Sequence, residues 1–324
     1  MKIVVTGSLG NVSRSLSEML VALGHQVILI SSKAERKKKI EAIGAEAAIG
    51  TIKDVEFLSQ TFTGADAVYV MEPFDAESYR DKDINIIGAI SEVADSYRQA
   101  LQKAGIKRVV HLSSIGAHTD IGTGLLAVHY YAETLLKQLP EDVSITHIRP
   151  AGFYNNLFQN IPMLKGKGLM GFIIALRYYG LVATLKGQRG ILLSNYGGED
   201  KTLWVSPVDI AEVAAEELIS TYPGRNVRYV VSEELTCNQV SAIIGKAIGK
   251  PYLKWETISD SQMQSGAERF GMSKQIAKAL VEMNAGIHSG YLYKDYYLNR
   301  PESLGKIKMA DFSAEFASVY NNQK

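Results

Sequence analysis

The sequence predicts an α/β protein, a doubly wound parallel sheet of the Rossmann type with a smaller α+β lobe beside it. Three observations carry that prediction. Strand and helix periodicities alternate from the first residues, the strands are apolar throughout, and a glycine-rich turn joins the first strand to the first helix. Short apolar strands separated by helices belong to a parallel sheet covered on both faces.

Residues 3–5 read as the first strand. Leu16, Met19, Leu20 and Leu23 then share one helical face, and residues 27–30 form the second strand, completing a βαβ unit. A strand at 45–49, a helix near 55–62, a strand at 67–70, a long helix from about 83 to 104, a strand at 108–112, a helix near 124–138 and a strand at 143–148 continue the alternation. After Arg149-Pro150 glycine and aromatics become more frequent. Strands at 202–205 and 227–231 and helices from about 208, 237 and 273 are the signals there. The expected division is a dinucleotide-binding domain at 1–150 and a substrate-side lobe at 151–324, partly interleaved with it.

Composition narrows the function. Among 324 residues, Lys+Arg 35 against Asp+Glu 34 leave a net charge of +1, with no bulk excess to clamp a nucleic acid or hold the chain to an anionic membrane. The single cysteine, Cys237, excludes an intramolecular disulfide and any CxxC metal or redox site; no metal centre is expected, and a reducing cytoplasmic setting fits. The opening MKIVVTG is a strand pattern rather than a signal peptide, so the chain is expected to begin inside its fold. The apolar run 168–185 carries Arg177 and three glycines, and is read as a buried or ligand-covering region rather than a membrane span.

The turn reads Gly7-Ser8-Leu9-Gly10-Asn11-Val12-Ser13. Gly7 suits a tight strand-to-helix turn, Gly10 lets backbone N–H groups approach a pyrophosphate at the positive helix end, and Ser13 is small enough for the third glycine's packing role. An Asp or Glu at the end of the second strand would bond a ribose 2′-hydroxyl. Here Ser31, Ser32 and Lys33 stand instead, followed by Arg36, which favours NADP(H) over NAD(H). The run 36–39 reads equally well as a solvated helix face.

The chain resembles the NmrA-like atypical short-chain dehydrogenases, and within them the type 2 quinone oxidoreductases. The matching pieces are residues 6–10, Gly64 to Val68, Ala104 to Arg108 leading to His111-Leu112-Ser113-Ser114, Arg149 to Leu157, Val205 to Ala211, Ala247 to Pro251 and Arg300-Pro301. The resemblance implies cofactor contacts from Met71, Glu72 and Pro73, from Ser113 and Ser114, and from Pro150, Gly152 and Phe153. It implies adenine contacts from Thr51 and Ile52, where the family often has an Asp, and a substrate neighbourhood of Ile115, His129 and Tyr154.

Short-chain dehydrogenases commonly place a Tyr and, four residues on, a Lys on the helix after the fifth strand, so that the ammonium lowers the phenol's pKa. Anchored on Glu133, this chain has Leu125 and His129 at those positions, and Tyr130 and Tyr131 are followed four residues on by Thr134 and Leu135. His129 is the catalytic candidate; His111 and His147, within strands, are read as structural. Quinone reduction tolerates this loss, because hydroquinone oxygens take protons from water. The expectation is an NADPH-dependent oxidoreductase passing hydride to a quinone-like or other small carbonyl acceptor, with a homodimer compatible. The alternative is a non-catalytic NADP-sensing regulator of the NmrA type, acting through a protein partner.

Overall fold

The computed structural model describes residues 1–73 and 79–323. Its first part runs β1 (Lys2–Val5), α1 (Asn11–Ala22), β2 (Gln26–Ser31), α2 (Lys37–Glu41), β3 (Glu46–Ile49), α3 (Val55–Phe62), β4 (Ala67–Met71), α4 (Ile86–Lys103), β5 (Arg108–Leu112), α5 (Ala127–Leu136) and β6 (Ser144–Pro150). Then follow β7 (Gly152–Phe153), α6 (Ile161–Lys165), α7 (Gly168–Leu185), β8 (Leu192–Ser194), β9 (Lys201–Val205), α8 (Pro207–Ile219), β10 (Arg225–Val230), β11 (Glu233–Thr236), α9 (Cys237–Ala247), β12 (Trp255–Thr257), α10 (Asp260–Arg269), α11 (Lys274–His288), α12 (Lys294–Leu298) and α13 (Met309–Asn322).

The main sheet has the order β3-β2-β1-β4-β5-β6-β10, and all of its pairs are parallel. Side-chain alternation sorts its residues onto two faces. Ile3, Val5 and Leu29 pack with Leu16 and Leu20 of α1 and Ala211 and Leu218 of α8. Val4, Val68 and Val70 pack with Leu58 and Phe62 of α3 and Val93, Tyr97 and Leu101 of α4. Polar caps set several helix starts. Asp54 accepts from the Glu56 and Phe57 amides at 3.0 and 3.1 Å, and Asn85 accepts from Gly88 at 2.9 Å. The strand order reverses direction between β1 and β4, and a crevice opens at such a switch point.

The strand read at 227–231 sits in the main sheet as β10, pairing with β6 from Arg225↔Ile145 to Val230↔Pro150. A parallel neighbour of β6 needs a helical crossover, and α8 supplies it while packing beside α1. The remaining small sheets, β11-β9-β7 and β12-β8, flank a third apolar cluster of Tyr154, Leu157, Trp204, Phe312 and Phe316.

Two expectations are corrected. The run 168–185 forms a helix, α7, but it is not buried: within it only Ala175 and Thr184 are fully buried, and Gly180 breaks it with φ 78° and ψ 170°. The second concerns Asp209: the run Pro207-Val208-Asp209-Ile210 predicts a helix start whose carboxylate satisfies first-turn amides, and Asp209 does lie in the first turn of α8. Ser206 is the residue that satisfies one of them, accepting from Val208 at 3.2 Å. The buried Asp209 carboxylate instead accepts from the Lys306 and Ile307 amides at 3.1 and 3.2 Å and from the Ser232 hydroxyl at 2.5 Å, and so clamps a segment nearly a hundred residues away.

Replacing Asp209 by Ala leaves those donors buried and unpaired. We expect a loss of about 1–3 kcal/mol in stability, read as a lower urea midpoint, with faster proteolysis around residues 299–308.

Candidate functional site

The site begins at the β1–α1 turn. Gly7 has φ +89°, and a Cβ there would lie 2.4 Å from the Ser13 hydroxyl; a Cβ on Gly10 would lie 3.0 Å from the Gly7 carbonyl. Ser8 also adopts positive φ (53°). Gly10 takes the N-cap position of α1 with no side-chain capping bond, so the first-turn amides have no side chain seated over them. Unstopped N–H groups at the positive end of a helix, cradled by glycines that leave no room for Cβ atoms, fit a pyrophosphate.

Beside the turn lies a cavity of about 500 Å³. Gly7, Ser8, Ser31, Ser32, Thr51, Ile52 and Pro73 line it, together with Arg36, Gly50 and Lys53 and an apolar wall from α4 that includes Ile86, Ile90 and Val93. Arg36 donates from Nη1 to the Ser8 hydroxyl at 3.1 Å, and Ser8 donates to Ser31 at 2.9 Å. A guanidinium and two hydroxyls therefore meet at the end of β2. Lys33 is absent from this lining. Its backbone N–H donates to Ser31 at 3.2 Å, and the cation that faces the cavity is Arg36, three residues on across a 3₁₀ turn (Ala34–Arg36).

On the other side of the switch point, Leu9 packs against the core, and Asn11 and Val12 open α1. Met71 lies against Gly7, and its N–H donates to the Thr6 hydroxyl at 3.0 Å. Glu72 is buried with its carboxylate 3.0 Å from His111 Nε2, so its side chain is engaged inside the core. His111 Nδ1 lies 2.8 Å from His147 Nδ1 across the β5–β6 pair. That arrangement is satisfied by two neutral imidazoles, one donating to Glu72 and the other to its neighbour. It leaves Glu72 Oε1 and His147 Nε2 without partners. Burial, reinforced by His111, holds His147 down at about 3.

Ser113 and Ser114 leave β5. Ser113 donates to Glu133 Oε1 at 2.7 Å, and Arg149 grips the same carboxylate through Nε and Nη2 at 2.8 and 2.7 Å. Burial alone would raise Glu133, but the Arg149 hydrogen bonds, aided by His147 and Ser113, outweigh it and hold the carboxyl at about 2. Arg149 extends through Nη1 to the Tyr229 hydroxyl and Asp295 at 3.1 and 3.2 Å.

One turn before Glu133 on α5 sits His129, partly buried, its Nδ1 sealed from solvent and without a hydrogen-bond partner. Burial depresses it to about 4, so it is neutral near pH 7. Leu125 packs against the α4–α5 cluster. Tyr131 donates to Asp120 at 2.9 Å, which raises rather than lowers its phenol pKa. No Tyr–Lys pair stands on this helix.

The proposed substrate neighbours separate. Ile115 is a core residue whose N–H donates to the Pro150 carbonyl at 2.9 Å. Tyr154, expected as a stacking surface for a flat acceptor, is not free to serve. Its ring is stacked near Phe312 and Trp204, with centroids 5.3 and 6.5 Å away, and its hydroxyl donates to the Ile307 carbonyl at 3.1 Å. Gly152 and Phe153 form β7 against β9, and both stay partly exposed. Gly50 and the α4 wall are not among the contacts expected from the sequence, and Arg36, expected only to follow the Ser31–Lys33 group, lines the cavity itself. A cation one turn past the end of β2 was the available signal for Arg36.

A model of the NAD(P)H-binding family matches residues 7–168, half of the chain. The chain belongs to that family. A curated relative, an NAD(P)H azoreductase from Xenophilus azovorans, is 23% identical over 90% of this chain and 88% of its own. Two solved structures share the whole fold. An NADPH-dependent quinone oxidoreductase from Escherichia coli, complexed with NADPH, has a TM-score of 0.72 at 17% identity and covers 97% of this chain and 99% of its own. A triphenylmethane reductase from a Citrobacter species has a TM-score of 0.70 at 18% identity over 98% and 99%. The NAD(P)H-binding assignment and the Rossmann-type architecture expected from the sequence are thus both met.

Two outcomes follow from this geometry. Gly7→Ala places a methyl group against Ser13 in a left-handed backbone and should weaken nucleotide binding at least tenfold in a fluorescence titration, with far-UV circular dichroism unchanged. Stability should fall with pH in two steps. His129 and His147, depressed in the folded chain, bind protons more readily when unfolded, so stability is complete above about 6.5 and declines toward pH 4. Glu133, held at about 2, adds a further loss below about 4.5. Urea midpoints measured against pH should show both steps, and His147→Phe should flatten the first.

Proposed function

We propose that this chain is an NADPH-dependent reductase passing hydride directly to a quinone-like or azo-type acceptor. The observation that carries the reading is a complete cofactor cradle joined to an α5 that lacks the Tyr–Lys pair and holds a neutral His129 instead. The first-turn amides of α1 would hold the pyrophosphate. Arg36, Ser31 and Ser32 would take the 2′-phosphate, with Gly50, Thr51, Ile52 and the α4 wall around adenine. Ser113, Ser114, Pro150, Gly152 and Phe153 lie on the strand ends toward which a nicotinamide would extend.

Bound NADPH supplies the hydride. The protein's share is orientation and exclusion of water. A neutral imidazole donates one hydrogen bond and accepts one, so His129 would orient an acceptor oxygen or the ribose without delivering a proton as an imidazolium. Hydride transfer to a quinone delivers both electrons and one hydrogen and leaves a hydroquinone monoanion, whose oxygen draws the one remaining proton from solvent. The relatives support the reading: one is named for reduction of azo compounds, another for quinones and a third for triphenylmethane dyes.

Purified protein mixed with NADPH and a panel of quinones and azo dyes should oxidise the nicotinamide. Tight NADPH binding with no turnover on any acceptor would favour the non-catalytic sensor instead. Arg36→Ala should lower NADPH affinity by roughly tenfold or more, as loss of a charge-assisted hydrogen bond does, and leave NADH affinity unchanged. His129→Ala should lower kcat with little change in the Kd for NADPH.

A further inference from the structure

The helix α7 is apolar and, among the described residues, largely uncovered. Leu169, Met170, Ile173 and Leu176 follow one another at helical spacing along its first limb and are 77%, 65%, 50% and 39% exposed; beyond the break at Gly180, Leu181, Val182 and Leu185 are exposed as well. Exposed apolar surface of this extent marks an interaction site.

Charge identifies the occupant. The chain has no Asp or Glu between Asp142 and Glu199, yet beyond Arg149, which is paired with Glu133, this stretch holds Lys165, Lys167, Arg177, Lys186 and Arg189. Among the described residues none of these five cations takes part in an ion pair. Arg177 lies over the Tyr178 ring at 5.5 Å and Arg189 over Phe172 at 5.3 Å, and Glu256, which lies near Tyr179, is paired with Lys254 at 3.7 Å. The near-neutral total charge thus hides a segment where apolar side chains are interspersed with cations that, among the described residues, no carboxylate neutralises; Lys165 donates to the Gln323 carbonyl and lies over the Tyr320 ring at 5.0 Å. A second copy of the same face would bring like charges together.

We propose that α7 is a peripheral membrane anchor, lying flat in the interface of an anionic bilayer with its leucines, isoleucine and methionine among the acyl chains and its cations at the phosphates. It does not cross the membrane. Its first limb ends at Gly180 and is about 18 Å long at 1.5 Å per residue, against about 30 Å of hydrocarbon. The docking stands on these residues alone; only its use, bringing a reductase to lipophilic acceptors dissolved in the bilayer, rests on the function proposed above.

Co-flotation of the full chain with vesicles tests it. The protein should float with phosphatidylcholine–phosphatidylglycerol vesicles, much less with phosphatidylcholine alone, and release as salt rises. Lys167→Ala and Lys186→Ala should each weaken partitioning about fivefold. The double variant Leu169→Asp, Ile173→Asp should abolish it while NADPH binding and circular dichroism stay unchanged, which separates loss of docking from loss of fold or cofactor. Absence of flotation, equal binding to both vesicle types, or a dimer in sedimentation that the same double variant dissociates would each overturn the proposal, the last by making this face a contact between copies.

Discussion

The buried pair between Glu133 and Arg149 is the constraint on which the site depends. Glu133 comes from α5, Arg149 from β6, Ser113 from the end of β5, Tyr229 from β10 and Asp295 from α12, and one carboxylate and one guanidinium hold all of them together. Burying two charges is costly unless their geometry is good and their remaining hydrogen-bonding capacity is filled. Here the contact is bidentate, Ser113 and Tyr229 fill further positions, and the β5 loop is fixed as a result. Removing one partner would leave the other charged and buried, a penalty of about 3–5 kcal/mol in comparable sites. The pair is less a source of stability than a device that allows only one relative placement of the two halves of the chain.

Next to it, three titratable groups are kept out of solvent in a row across β4, β5 and β6: Glu72, His111 and His147. A hydrogen-bonded chain of this kind specifies its register closely, because a one-residue slip of β5 would turn His111 to the opposite face. The polar core and the ion pair together make α5 a rigid support. On that support His129 stands one helical turn from Glu133, partly buried, and neutral because desolvation disfavours its charged form. A dehydrogenase that must protonate an alkoxide needs a stronger acid there. On the function proposed above, an acceptor whose reduced oxygens are themselves acidic needs only position, the role proposed for His129.

Much of this was legible in the sequence, for identifiable reasons. The alternation of apolar strands and amphipathic helices is a local signal, so β1 to β6 and the helices between them could be read directly, and so could the β1–α1 turn, because its chemistry depends on backbone shape. What depended on long-range packing was not legible. The strand at 225–230 carries no mark of whether it joins the large sheet or a small one, and its partner lies about eighty residues away. Asp209 resembles a helix-start carboxylate until the segment at 306–307 folds onto it. Tyr154 looked available because nothing nearby in sequence reveals that Phe312 and Trp204 would enclose its ring. Arg36 rather than Lys33 faces the cavity because the chain turns through a 3₁₀ step after β2. The helix α7 has the composition of a core helix, and only the folded chain shows that most of its apolar side chains stay exposed among the described residues.

The most direct test of the account is a crystal structure of the protein with NADPH. In it the pyrophosphate should lie on the first-turn amides of α1, the 2′-phosphate against Arg36 and Ser31, adenine beside Ile52 and the α4 wall, and the nicotinamide ring between Ser113 and Phe153 within reach of His129. A 2′-phosphate left in solvent, or a nicotinamide held away from α5 with a protein side chain filling its place, would contradict it.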